Sequence, residues 1–518
     1  MKKTIRMQLF RRCGILLLTI SLLLSFVGCA AKDANMEGDM PEMGNMASNP
    51  QDGEYDSNAT ANADGTPVFV ENPFIETQKE PVSTFSADVD TASYTYFRKL
   101  VNSGYPIKMM KSYGYAFRTE EFINYFQYEA NDPKDGELFG VTTAIAPCPW
   151  NNKTLLMRLT LQAEDAVKSA GNNLVFLIDV SGSMSSSDKL PLLKKTFSYL
   201  VSQLTENDRV SIVTYSGKER VVLSGCPGNQ GEKILKAINS LEANGSTNGQ
   251  AGLEKAYKQA QDHMIEGGNN RIIMASDGDL NVGISSAEEL KAFVEQKRDL
   301  GIYLSILGFG TGNYRDSNME ALADNGNGVY YYIDGETEAE RIFGSQLLST
   351  LHTVANDVKL QITFDPTAVE SYRLVGYENR ILNKEDFTDD TKDAGEVGAG
   401  HQVTVCYELT PAINAAETDN WMTLKVRYKP IGAIESVENQ YTIGKNDQKE
   451  PDADFLFITA VIETAMIFHE SKYLGDIDLN SVLDILNQLD FSENVYREEF
   501  KNLIQKLVLQ ANVTNNKA

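Results

Sequence analysis

The chain has 518 residues, room for two to four domains that each bury a core, and its 72 acidic against 47 basic residues leave a net charge of −25. A surface of that sign repels nucleic acid and anionic lipid head groups, which excludes recognition of either by charge attraction. The five cysteines contain no C-x-x-C, and His263, His352, His401 and His469 are dispersed with no neighbouring ligand pattern, so zinc and dithiol redox chemistry have no support and the histidines read as structural or surface groups.

Residues 1–29 open with Lys2, Lys3, Arg6, Arg11 and Arg12 and continue into an apolar run from Gly14 to Val27, too short for a stable span, before Gly28-Cys29. The arrangement resembles a bacterial lipoprotein signal, which implies lipidation of Cys29; retention as an uncleaved amino-terminal anchor is the alternative. Either places the rest of the chain outside the cytoplasm, tethered to a membrane. Residues 30–80, rich in Asp, Asn, Gly, Met and Pro, read as a disordered acidic tether with a reach of roughly 40 Å. A truncation starting near Pro81 is therefore expected to fold. Met36, Met40, Met43 and Met46 could hold Cu(I), but with no histidine or cysteine beside them they read as linker filler.

Residues 84–128 carry two helix-like stretches with Tyr94, Phe97, Phe122, Tyr125 and Phe126, a small helical leader. Asp88-Val89-Asp90 echoes the aspartate pair of haloacid-dehalogenase phosphatases, but Ala92 stands where that pattern needs Thr or Val. Between 137 and 165, VTTAIA and TLLMRLTL alternate as two strands around Cys148-Pro149-Trp150-Asn151.

From 172 to 353 buried strands alternate with amphipathic helices, which implies an α/β fold with a doubly wound, mostly parallel sheet covered on both faces. Residues 356–445 turn to strands of alternating polarity, read as a β-sandwich that the strands of 137–165 join across the α/β insertion. The loop from Asp386 to His401 lacks the acid spacing of a calcium loop and reads as a solvated turn. Residues 454–512 have helical spacing throughout, and Glu463 interrupts the apolar run FLFITAVIETAMIFH, making it a buried helix rather than a span. Cys148, Cys226 and Cys406 allow one disulfide plus a thiol, or three buried thiols.

One stretch organises the α/β unit. LVFLIDVSGSM, Leu174 to Met184, is an apolar strand ending in Asp179, Ser181 and Ser183, three oxygen side chains on alternate positions of one tight loop at the strand end where open α/β sheets bind ligands. Two later segments supply further oxygens: Thr247 in Gly245-Ser246-Thr247-Asn248, and Asp277 at the end of strand RIIMASDGD. In order, spacing and strand context, Asp179, Ser181, Ser183, Thr247 and Asp277 resemble the metal-ion-dependent adhesion site of von Willebrand factor type A (VWA, Rossmann-like) domains. From residue 84 onward, the succession of leader, type A unit, β-region and helical tail is similar to a group of bacterial VWA lipoproteins.

Two carboxylates and three hydroxyls do not enclose a divalent ion, so water and an outside ligand must complete the shell. The resemblance implies one Mg²⁺ (or Mn²⁺ or Ca²⁺), with Ser181, Ser183 and Thr247 as direct ligands, Asp179 and Asp277 as charged supports, and a partner's Glu or Asp in the open position. The expected function is non-enzymatic capture of a protein partner at the cell envelope, with neither nucleic acid nor a small-molecule substrate. Two alternatives stay open: a metal-dependent hydrolase, which lacks a histidine base in these segments, and an envelope protein whose metal only braces loops.

Overall fold

The computed structural model describes residues 60–61, 67–68, 70–165, 169–245, 250–278, 287–310, 316–392, 394–413, 415–433 and 435–515. The proposed signal, Cys29, most of the tether and its four methionines lie outside the described residues. In chain order, β1 (Thr60–Ala61) and β2 (Pro67–Val68) form a short antiparallel pair, followed by β3 (Ile75–Glu76), β4 (Val82–Ser86), β5 (Phe139–Pro147) and β6 (Leu155–Ala163).

The next six strands are β7 (Asn172–Asp179), β8 (Arg209–Tyr215), β9 (Arg220–Pro227), β10 (Asn269–Ser276), β11 (Ile302–Phe309) and β12 (Tyr330–Ile333). They make one sheet in the order β12-β11-β10-β7-β8-β9, parallel throughout except for the β8/β9 pair. The central place of β7 follows from its apolar run. Leu174, Phe176 and Ile178 face the helix Leu190–Gln203, where Phe176 stacks on Phe197 at 4.2 Å, while Val175 and Leu177 face the other way toward the helix Gln250–Asp262. A strand buried on both faces needs this continuous pattern, and each such side chain stabilises by about 2 kcal/mol. The edge strand β9 was not foreseen: its VVL run is short and half-exposed, a weak alternation signal.

The last six strands are β13 (Thr353–Phe364), β14 (Val369–Val375), β15 (Gly395–Gly398), β16 (Gln402–Pro411), β17 (Asn420–Pro430) and β18 (Val437–Gly444). One sheet runs β15-β13-β17-β18 with β4 also on β13, and the other runs β3-β14-β16-β6-β5. Strands from before and after the α/β unit thus share both sheets. Phe364 meets Tyr407 at 5.5 Å and Phe139 meets Tyr428 at 5.1 Å between the two sheets, closing an antiparallel sandwich.

Three expectations need correction here. The tether does not extend to residue 80: Ile75 and Glu76 pair with Tyr372 and Ser371, and the Asn72 amide donates to the carbonyls of Leu374 and Gly376 at 3.2 and 2.8 Å. A polar segment is ordered because its side-chain amide and its backbone satisfy neighbouring backbone groups, which composition does not register. The leader is preceded by a strand rather than beginning as helix, since Val82–Ser86 pairs with Lys359–Thr363. The 386–401 loop is not wholly a solvated turn, because β15 inside it buries Val397 against β13.

The chain ends in helices Ala453–His469, Leu479–Leu486 and Val495–Asn515. Asp452 caps the first, accepting from the Phe455 N–H at 2.7 Å. That helix is buried because the leader's aromatics pack on it: Phe457 meets Phe126 at 4.8 Å and Phe468 meets Phe97 at 5.1 Å. Among the described residues no helix is long and apolar enough to cross a membrane. Cys148, Cys226 and Cys406 are three buried thiols.

Candidate metal centre

Residue pairing of Ala275 with Ile178 sets the ends of β10 and β7 side by side, so Asp277 and Asp179 emerge together at the carboxyl edge of the sheet. The loop after β7 turns at once into a short 3₁₀ segment, Gly182–Ser185. It is pinned to the chain at Asn244 and Gly245, just before Thr247, by backbone bonds, Asn244 N–H to Val180 O at 2.7 Å and Gly182 N–H to Gly245 O at 3.0 Å. Gly245 has φ +91°, a left-handed conformation in which a side chain would be strained. Thr247 itself, with 246–249, lies outside the described residues.

Asp179 is buried; its Oδ1 accepts from the Ser181 N–H at 2.8 Å, and Ser181 Oγ lies 2.9 Å from Ser183 Oγ. Asp277 is 3% exposed and its Oδ2 accepts from the Lys189 ammonium at 2.8 Å. Asp179 Oδ2 and Asp277 Oδ1 are buried and find no hydrogen-bond partner among the described residues. Burial pushes the Asp179 carboxyl up to about 6; the Ser181 N–H opposes this and the charge of Asp277 adds to it. Beneath them, burial drives the Tyr215 phenol well above its usual range, with Asp179 contributing.

The donors fit a hard divalent cation. Each orphaned carboxylate oxygen costs about 1–3 kcal/mol in a buried position, and a bound cation would offset that cost. Carboxylate and hydroxyl oxygens without imidazole or thiolate suit Mg²⁺, Mn²⁺ or Ca²⁺ over zinc. No cluster of three or more His, Cys, Asp or Glu able to hold a metal occurs among the described residues. Asp179, Ser181, Ser183 and Asp277 lie in two of the three segments the sequence singled out. Lys189 was missed. It lies ten positions after Asp179, where its charge was legible but its direction was not.

A sheet of this topology with this loop at its carboxyl edge defines a von Willebrand factor type A domain protein, and the model described as von Willebrand factor type A domain matches residues 173–345. The chain belongs to the family of the uncharacterized protein YfbK of Escherichia coli (strain K12), to which it is 37% identical over 469 residues, covering 84% of this chain and 80% of that protein. The model for the C-terminal part of YfbK matches residues 349–509, and one described as von Willebrand factor matches 62–158. Human inter-alpha-trypsin inhibitor heavy chain H3 is 31% identical over 179 residues, 32% of this chain and 20% of that protein. Among solved structures, a von Willebrand factor type A protein from Catenulispora acidiphila aligns at a TM-score of 0.40 with 16% identity, over 70% of this chain and 88% of that one.

Proposed function

We propose that this protein is a non-enzymatic, extracytoplasmic binding module, tethered through lipid on Cys29, that captures a protein partner by a Glu or Asp side chain. Asp179, Ser181, Ser183, Thr247 and Asp277 would hold one divalent cation, Mg²⁺ by preference. The observation that carries the reading is the pair of buried carboxylate oxygens, Asp179 Oδ2 and Asp277 Oδ1, which have no hydrogen-bond partner among the described residues at the carboxyl edge of the sheet. Bound there, a divalent cation supplies a Lewis-acidic position open to an outside carboxylate. Asp179 is oriented by the Ser181 N–H, Ser181 and Ser183 present their hydroxyls together, and Lys189 fixes Asp277. The hydrolase alternative is disfavoured by the histidines: His352, His401 and His469 are each lowered to about 4 by burial, and none belongs to the metal segments.

The test is retention of envelope proteins on the immobilised wild type, Ser181→Ala and Thr247→Ala, with Mg²⁺ or chelator. Capture by the wild type in Mg²⁺ alone supports the reading. Equal retention in every condition removes it. The anchor is tested separately: Cys29→Ala should abolish lipid labelling, and unchanged labelling would contradict the tether.

A further inference from the structure

We infer that Lys189 makes cation binding at this site conditional on an anionic partner, because it holds a fixed positive charge on one of the two carboxylates. The inference rests on the metal reading above and deepens it. Lys189 Nζ lies 2.8 Å from Asp277 Oδ2, with the two side chains 12% and 0% exposed. Asp179 and Asp277 carry two negative charges and Lys189 one positive, so the site is short of cation by a single charge. A divalent ion overshoots that deficit and leaves the site with one net positive charge in a buried setting. A carboxylate from outside restores neutrality. Without Lys189 the ion alone would neutralise the two aspartates, and an outside acid would add little.

The lysine is built in. Its aliphatic stem runs over Gly310, φ +78°, where an added Cβ would fall 2.3 Å from Lys189 Cε and 3.0 Å from Cγ, so the stem occupies the space a side chain at 310 would need. The Gly310 carbonyl is held by the Tyr332 hydroxyl at 2.6 Å, and Tyr332 packs edge-on against Tyr96 of the leader helix Ala92–Asn102 at 5.9 Å. On its other side the neighbouring Asp188 is bonded by the Ser186 hydroxyl at 2.6 Å and lies 3.4 Å from Lys99 of that same leader helix. The backbone of Lys189 begins the next helix, its carbonyl accepting from the Leu193 N–H at 2.8 Å. A surface lysine would swing away from an incoming cation. This one is held by Asp277, by the Gly310 backbone and by the helix it begins, and the leader braces its neighbours Tyr332 and Asp188.

The experiment is Mn²⁺ titration of the full chain, with sodium acetate as the carboxylate probe against sodium chloride at equal ionic strength. Wild type, Lys189→Met, Lys189→Gln and Lys189→Arg are compared, with Asp277→Asn as the metal-site control. Wild-type affinity should rise about tenfold or more in acetate, since the acetate charge offsets the excess positive charge of the loaded site. The Met and Gln variants should bind Mn²⁺ about tenfold tighter than wild type in chloride and gain little from acetate, while Arg behaves as wild type. The role of Lys189 is overturned if the neutral variants bind no tighter, or if acetate helps them as much as it helps wild type. Absence of an acetate effect in wild type overturns it without any variant. No Mn²⁺ binding by wild type in either salt would remove the metal reading, and this inference with it.

Discussion

Two clusters of buried acids lie near the same leader helix, and they are treated in opposite ways. At the junction of leader, α/β unit and last helix, Arg98 donates to Asp334 at 2.7 and 2.6 Å, to Glu338 at 2.8 Å and to Glu499 at 3.0 Å. Arg341 donates twice more to Glu338, at 3.0 and 2.6 Å, and lies over the Tyr125 ring at 4.1 Å. Burial alone would raise the Glu338 carboxyl, but Arg341 and Arg98 bring it below its usual range. At the carboxyl edge of β7 and β10 the balance reverses, with two carboxylate oxygens unpartnered among the described residues and Asp179 pushed up to about 6. A buried acid is therefore no sign of a site by itself. The saturated cluster is a fastening between parts of the molecule, and the unsaturated one has capacity left for a ligand.

The comparison breaks most visibly at the fastening. Arg98→Ala would leave Asp334 and Glu338 buried and short of their partner, and should cost about 3–5 kcal/mol in urea unfolding of the full chain. A loss below about 1 kcal/mol would mean that the cluster is not coupled to folding.

A third buried acid, Glu463, sharpens the contrast because no cation pairs with it among the described residues and it lies inside a buried helix. It is fully buried, neither carboxylate oxygen has a hydrogen-bond partner among the described residues, and burial pushes it up to about 8 from 4.5. The folded chain keeps this proton where the unfolded chain releases it, so its contribution to stability is intact below about 4.5 and is lost as pH rises toward about 8. Glu463→Gln should flatten that slope and raise stability near pH 8 on the order of 3 kcal/mol. Parallel pH profiles of the two proteins would contradict a buried protonated carboxyl.

Next in size is the amino-terminal edge. Starting the chain at Pro81 removes β3 and the two Asn72 bonds to the β14 strand end, and should cost about 2 kcal/mol relative to a start before residue 70. Equal melting of the two truncations would restore the longer tether inferred from composition. The smallest effect belongs to the open cluster: Asp277→Asn should change metal-free stability by about 1 kcal/mol, because relief of repulsion from Asp179 offsets part of the lost Lys189 ion pair and the Lys189 ammonium can still donate to the amide oxygen.

What could be read before the structure follows from how far each signal reaches along the chain. The run Leu174 to Ile178 declares a strand buried on both faces, and D-x-S-x-S at its end declares the ligand edge, because both signals are local. The alternating β/α pattern then fixes the class of sheet. The Arg98 cluster joins residues 236 positions apart with Asp334, and no periodicity marks such a pair. Asn72, polar in a polar stretch, gave no sign of the sheet edge it satisfies. Lys189 was visible only as a charge near the motif, since its direction is imposed by Gly310 and Asp277 from other strands. Thr247 remains an expectation from the motif alone.

The most direct test of the open cluster is a thermal melt of the full-length wild type with Mg²⁺ and acetate against chelator, run beside Ser181→Ala and Asp277→Asn. The expected result is stabilisation of the wild type, about 2.7 kcal/mol at a hundredfold excess over the dissociation constant, with no shift in either variant. A wild-type melt that ignores Mg²⁺ and acetate, or one that both variants reproduce, would contradict a cation site built on Asp179, Ser181 and Asp277.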